Sequence, residues 1–126
     1  MGRVVHFEVH ADDPERASDF YRSVFGWEIS KWDGPIDYWL VTSGPDDEDG
    51  INGAILRRMG SAAAEGDAVN GFVNTIAVDS IEQAERDIPG AGGEQVLPSQ
   101  EIEGVGKVGY FKDTEGNIFG ALEPTA

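Results

Sequence analysis

The feature that most constrains the fold of this chain is an internal repeat. When the sequence is aligned with itself at an offset of 67 residues, without a gap, ten positions are identical. The longest match places Ile51-x-Gly53-Ala54 on Ile118-x-Gly120-Ala121. The other identical pairs are Asp12 and Asp79, Glu15 and Glu82, Ala17 and Ala84, Gly26 and Gly93, Val41 and Val108, Asp46 and Asp113, and Glu48 and Glu115. Composition alone would give about three or four identities, so the chain is predicted to contain two copies of one unit.

The first copy begins with a strand, because apolar and polar residues alternate at its start. The alternating residues are Val5, Phe7 and Val9 against His6, Glu8 and His10. A helix is predicted next, with Asp13 as its N-cap, Pro14 in its first position and Gly26 as its stop. Three further strands are predicted over 27–32, 38–42 and 51–58.

The second copy repeats this order. A strand is predicted over 72–78, and Ser80 with Gln83 is typical of a capping box that opens a short helix. Pro89 and Gly90 are predicted to close that helix. Three more strands are predicted around 95–97, 107–112 and 118–123.

These elements predict an α+β fold of two βαβββ modules, related by an approximate twofold. Together they would form a curved mixed sheet around a cup, and a cup is a typical small-molecule site. The predicted boundaries are module one at 1–59, a polar linker at 60–71 and module two at 72–126. The whole chain, 1–126, is expected to be a single domain.

The charge of the chain excludes two classes of partner. Acidic residues outnumber basic ones by 24 to 9, which gives a net charge of −15. Such a field repels nucleic acid and anionic membranes, so neither is an expected partner. The chain has no cysteine, which excludes thiolate sites, and no apolar run approaches the roughly 20 residues of a membrane span. We expect a soluble, cytoplasmic protein.

Several segments resemble the vicinal oxygen chelate superfamily, which includes glyoxalase I, bleomycin-resistance proteins and extradiol dioxygenases. The first copy resembles it at Val5-His6, Asp12-Asp13-Pro14-Glu15-Arg16-Ala17, Asp19-Phe20-Tyr21 and Phe25-Gly26-Trp27, and the second at 78–84 and 112–117. The resemblance covers nearly the whole chain. It implies paired βαβββ modules, a small molecule bound between them, and a homodimer.

In metal-dependent members, each module supplies a His or Gln from its first strand and a Glu from its last, and these four side chains hold a divalent ion. Carried onto this sequence, the resemblance puts His6 and Val73 at the first-strand positions and Gly53 and Gly120 at the last-strand positions. A divalent ion needs three or four protein donors, so neither a metal nor another cofactor is expected. Asn74 would replace Val73 only if a local bulge turned its side chain inward.

The predicted function is binding of a small organic ligand in the cup without a metal, since drug-sequestering members of the superfamily also lack the metal ligands. The predicted binding residues are His6, Glu8, Tyr38, Leu40, Gly53, Asn74 and Gly120. Aromatic residues of the strands and the negative charge favour a flat or cationic ligand.

Two enzymatic alternatives remain open. One is a metal-dependent glyoxalase-like lyase or isomerase, or a dioxygenase, with an atypical ligand set of His6 together with Asn74 or Glu8. The other is a metal-free enzyme in which His6 is the general base. Against both, His6 would only line the pocket, Glu8 would be a charged residue at the rim of the sheet, and His10 would be solvated at the end of its strand.

The acid excess also predicts how the protein responds to salt. Only three lysines accompany 24 acidic residues, a composition typical of adaptation to a saline cytoplasm. Because salt screens the repulsion between surface carboxylates, we expect the melting temperature to rise from low to molar sodium chloride. Calorimetry across that range checks this, and a flat or falling melting temperature would contradict it.

Overall fold

The computed structural model describes residues 2–67 and 70–125, so Met1, Ala68, Val69 and Ala126, and with them part of the predicted linker 60–71, lie outside the described residues. Its elements are β1 (Val4–Ala11), α1 (Pro14–Phe25), β2 (Glu28–Lys31), β3 (Trp39–Thr42), β4 (Gly53–Arg57), β5 (Val73–Ala77), α2 (Ile81–Gly90), β6 (Glu94–Ile102), β7 (Gly106–Lys112) and β8 (Ile118–Pro124). This order is βαβββ twice, which confirms the predicted α+β fold. Within the described part of the chain, neither helix is long and apolar enough to cross a membrane.

The strand order is the same in both modules. In module one the strands lie in the order β1-β4-β3-β2, and in module two in the order β5-β8-β7-β6. The first and last strands of each module pair in parallel, and the remaining pairs are antiparallel. The repeat found in the sequence is therefore a repeat of topology.

The chain divides into two compact units. One contains the described residues from His6 to Phe72, and the other contains 73–125 together with the N-terminal residues 2–5. These N-terminal residues join the later part of the chain through the backbone, since the Gly2 N–H donates to the Ala77 carbonyl at 2.7 Å.

Helix α1 begins and ends where the sequence predicts. The Asp13 side chain accepts a hydrogen bond from the Arg16 N–H at 3.1 Å, which satisfies one of the free donors of the first turn. Gly26 ends the helix with φ of 71°, in the left-handed region that favours glycine. Local side-chain chemistry is sufficient to set both ends of this helix.

The core of module one lies between α1 and one face of its strands. Tyr21 of α1 stacks on Trp27 with 4.6 Å between ring centroids, and Trp27 lies 5.5 Å from the ring of Phe7. The buried members of this core are Phe7, Val9, Ala11, Ile29, Trp39, Val41 and Ile55. Many of the aromatic residues of module one thus serve the core.

Module two has a smaller core, in which Ile81 of α2 packs with Phe111 and Ala121. Two predicted boundaries differ from the structure here. Helix α2 continues through Pro89 to Gly90, because a proline in the last turn removes few helix hydrogen bonds, and the Ala91 N–H still donates to Asp87.

The strand predicted around 95–97 is also longer, since β6 runs from Glu94 to Ile102. It contains irregularities between Gln95 and Leu97 and between Leu97 and Gln100. As the last strand in the order of its module, β6 tolerates both the irregularities and Pro98.

The close approach of β1 and β4 requires glycine at position 53. A Cβ at Gly53 would collide with the Phe7 carbonyl oxygen and lie 2.7 Å from the ring carbon Cγ of Phe7. We predict that Gly53→Ala lowers the free energy of unfolding by about 1–3 kcal/mol, as measured by urea denaturation.

The matched control is Gly71→Ala, because a Cβ at Gly71 meets nothing within 4 Å. This variant should stay within about 0.5 kcal/mol of the wild-type protein. Equal stability of the two variants would show that the contact with Phe7 does not constrain position 53.

Candidate functional site

Four of the predicted site residues lie on one face of module one, opposite α1. Because strand side chains alternate, His6 and Glu8 point away from the face that carries Phe7. The register pairs Glu8 with Ala54, and Ala54 with Leu40, which places all three on the same face. Tyr38, just before β3, joins them through its contact with His6. We call the surface formed by His6, Glu8, Tyr38, Leu40 and Ala54 the His6 face.

A hydrogen bond across β4 joins the two aromatic polar groups of the His6 face. The His6 Nε2 atom lies 3.1 Å from the Tyr38 Oη atom. Since β4 lies between β1 and β3, the Tyr38 side chain must extend past β4 to reach His6. At this point β4 carries Ala54, which is fully buried and whose methyl group leaves room for the phenol ring.

Glu8 is buried, and it is not the exposed residue at the rim of the sheet that one interpretation of the sequence predicts. Only 4% of the residue is exposed, and its Oε1 atom lies 3.5 Å from the Nε2 atom of His10. His10 in turn is half-buried within β1, so the prediction of a solvated histidine at the strand end is also wrong. The strand extends one residue further than predicted, to Ala11, and this keeps His10 on the sheet.

The electrostatics of the His6 face favour uncharged forms of both hydrogen-bonded groups. Burial lowers the pKa of His6 below 6.5, although the negative charge of Glu8 opposes this shift. Burial and the same negative charge raise the pKa of Tyr38 well above its usual value. At neutral pH the pair therefore consists of a neutral imidazole and a neutral phenol.

Gly53 does not belong to the His6 face, which corrects the prediction that it lines the site. The register pairs Gly53 with Phe7, and a Cβ built on it points at the Phe7 ring. Ala54, which the sequence analysis did not single out, occupies the His6 face instead. The buried residue next along β4, Ile55, would have indicated this alternation.

In module two the predicted residues separate onto two faces. A Cβ at Gly120 would lie 3.0 Å from the Thr75 Oγ1 atom, so Gly120 and Thr75 share a face. By alternation along β5, Val73 lies on that face as well, and Asn74 lies on the opposite one. The pairing of β5 with β8 runs from Thr75 to Ala77 in a single regular register, so these pairs contain no bulge that would reorient Asn74.

The two last strands correspond at an offset of 66 residues, although the sequence repeat aligns them at 67. Glu8 pairs with Ala54 in module one, and Thr75, the residue 67 positions after Glu8, pairs with Gly120 in module two. Gly120 is therefore the counterpart of Ala54. The identity between Gly53 and Gly120 does not reflect the same place in the fold.

Comparison with known proteins supports the resemblance found in the sequence. Residues 3–44, about a third of the chain, match the family described as bleomycin resistance protein-like N-terminal. No curated protein matches the sequence.

Solved structures match along nearly the whole chain. A hypothetical protein of Bacillus halodurans C-125 has a TM-score of 0.68 at 13% identity, with 99% of this chain and 96% of that chain covered. Methylmalonyl-CoA epimerase of Streptomyces coelicolor, in complex with 2-nitronate-propionyl-CoA, has a TM-score of 0.67 at 16% identity, with 100% and 99% covered. The fold is that of the vicinal oxygen chelate superfamily. Methylmalonyl-CoA epimerase of Mycobacterium tuberculosis agrees, with a TM-score of 0.64 at 16% identity over 99% and 89% of the two chains.

The residues of this chain do not fit the metal centre of the superfamily. Of the four positions from which its members supply ligands, His6 alone carries a donor atom, because Ala54, Val73 and Gly120 end in hydrogen or carbon. The His6 Nε2 atom is already bonded to Tyr38. Among the residues that the structure describes, no group of three or more His, Cys, Asp and Glu could hold a metal ion.

The lowered pKa of His6 has a measurable consequence. Because the folded protein binds this proton less readily than the unfolded chain, the contribution of His6 to stability is present above pH 6.5 and is lost as the pH falls below it. We predict that NMR titration of the imidazole gives a pKa below 6.5, and that Glu8→Gln lowers it further by removing the negative charge.

Glu65→Gln is the matched control, since Glu65 is an exposed carboxylate in the segment after β4. It should leave the pKa of His6 unchanged. A pKa of 6.5 or higher in the wild-type protein would contradict the prediction.

Proposed function

We propose that the protein binds a small organic ligand on the His6 face without a metal ion. The observation that carries this proposal is the combination of a neutral imidazole–phenol pair with the nearly buried carboxylate of Glu8, beside the apolar surface of Leu40. A few polar groups set in an apolar surface are typical of small-molecule sites. The match of residues 3–44 to the bleomycin resistance protein-like family supports the same function.

The ligand is proposed to be cationic or neutral. The net charge of −15 repels anions, and the negative charge of Glu8 acts on both His6 and Tyr38. The epimerase structures hold acyl-CoA compounds, whose phosphates would meet this repulsion here. Similarity to those enzymes in fold therefore does not extend to their ligand class in this proposal.

The predicted homodimer and cytoplasmic location belong to the same proposal as expectations from the resemblance. Three apolar residues of α1 remain largely exposed: Phe20, Val24 and Phe25. An exposed apolar surface of this kind is compatible with an interface between subunits.

Three probes that share a benzyl ring test the charge preference: benzyltrimethylammonium, benzyl alcohol and benzoate. We predict that the cation binds most tightly and benzoate most weakly, because only the cation is attracted by Glu8 and by the net charge. Titration followed by ¹H–¹⁵N NMR gives the affinities and locates binding by the amide shifts of the His6 face.

Two variants that introduce the same charge provide the control. Leu40→Lys places a cation on the His6 face, where Leu40 is 44% exposed, and should weaken binding of benzyltrimethylammonium about tenfold. Met59→Lys, at a residue 53% exposed after β4, should change it less than twofold. Tightest binding of benzoate, or shifts confined to other parts of the chain, would contradict the proposal.

Metal analysis of protein purified without chelator tests the remaining part. Stoichiometric zinc, nickel or manganese would overturn the metal-free proposal in favour of a metal-dependent glyoxalase-like enzyme with an atypical ligand set that includes His6. Less than about one-tenth of an equivalent of each metal would support the proposal, because a site of three or four donors retains zinc through purification.

A further inference from the structure

We propose that Tyr38 determines specificity on the His6 face by accepting a hydrogen bond from an N–H group of the ligand. This inference rests on the proposed binding function and names the chemical class of the ligand. The class is a primary or secondary ammonium, or another cation that carries N–H donors. Tyr38 can discriminate in this way because His6 occupies the single proton of its hydroxyl group.

The direction of the hydrogen bond between His6 and Tyr38 follows from the chemistry of the two groups. A neutral imidazole has one N–H donor and one acceptor nitrogen, and a phenol has one O–H donor. The acceptor nitrogen of imidazole is strongly basic, whereas the phenol oxygen is a weak acceptor because its electrons are delocalised into the ring. At the observed Nε2–Oη distance of 3.1 Å, the favoured bond is therefore donated by Tyr38 to His6. His6 then carries its own proton on Nδ1.

A Tyr38 hydroxyl that donates to His6 can only accept from a further partner. Its oxygen retains lone pairs, and the nearby charge of Glu8 favours a positively charged donor over a neutral one. A ligand that offers only acceptors finds no free proton on Tyr38. A quaternary ammonium has the favourable charge, but it has no N–H to donate.

The position of Tyr38 also makes this selection precise. Its side chain is held at one end by β3 and at the other by the bond to His6 on β1, past the small residue Ala54. A group fixed at both ends loses little conformational entropy when a ligand binds. Tyr38 therefore presents its acceptor atom in one place.

The inference is tested with two cations of equal charge, benzylammonium and benzyltrimethylammonium, by NMR titration near pH 7.5. The wild-type protein should prefer benzylammonium about tenfold, the effect of one charge-assisted hydrogen bond. Tyr38→Phe should abolish this preference and leave the affinity for benzyltrimethylammonium within about twofold. Long-range ¹⁵N spectra should show His6 protonated on Nδ1 in the wild-type protein.

Tyr21→Phe is the matched control, because Tyr21 packs in the α1 core of the same module and also loses one hydroxyl group. It should retain the tenfold preference. Equal binding of the two cations to the wild-type protein, a preference that survives in Tyr38→Phe, or His6 protonated on Nε2 would each overturn the inference while the proposed function stands. Failure of both cations to shift the His6 face would overturn the proposed function as well.

Discussion

The contact between Phe7 and Gly53 is the constraint on which the rest of module one depends. It lets β1 and β4 approach closely and fixes their register. With the register fixed, alternation assigns every neighbouring side chain either to the core beneath α1 or to the His6 face. A shift of one residue would move His6 and Glu8 into the core and expose Phe7. The chemistry of the site therefore depends on the absence of a side chain from the core.

The sequence was sufficient for features that depend on local chemistry. The repeat, the order of elements and the ends of α1 were predicted correctly, because alternation, the Asp13 cap and Gly26 act within a few residues. Four of the seven predicted binding residues lie on the His6 face: His6, Glu8, Tyr38 and Leu40.

What the sequence could not supply was the pairing between distant strands. The offset of 67 residues describes the first strands of the modules but fails by one residue at the last, and an error of one residue reverses the face of a strand side chain. This is why Gly53 was assigned to the site and Ala54 was overlooked. The burial of Glu8 was missed for a related reason, since it depends on neighbours that are distant along the chain.

The inequality between the two last strands also bears on the history of the chain. Ala54 and Gly120 are the true counterparts, yet one underlies an imidazole–phenol pair and the other adjoins the hydroxyl of Thr75. A protein assembled from two copies of its earlier half would carry that pair twice, and one assembled from its later half would lack it. After duplication the copies have specialised: the ancestral gene segment persists in both, but selection for chemistry has been concentrated in the first, which frees the second to drift toward scaffolding.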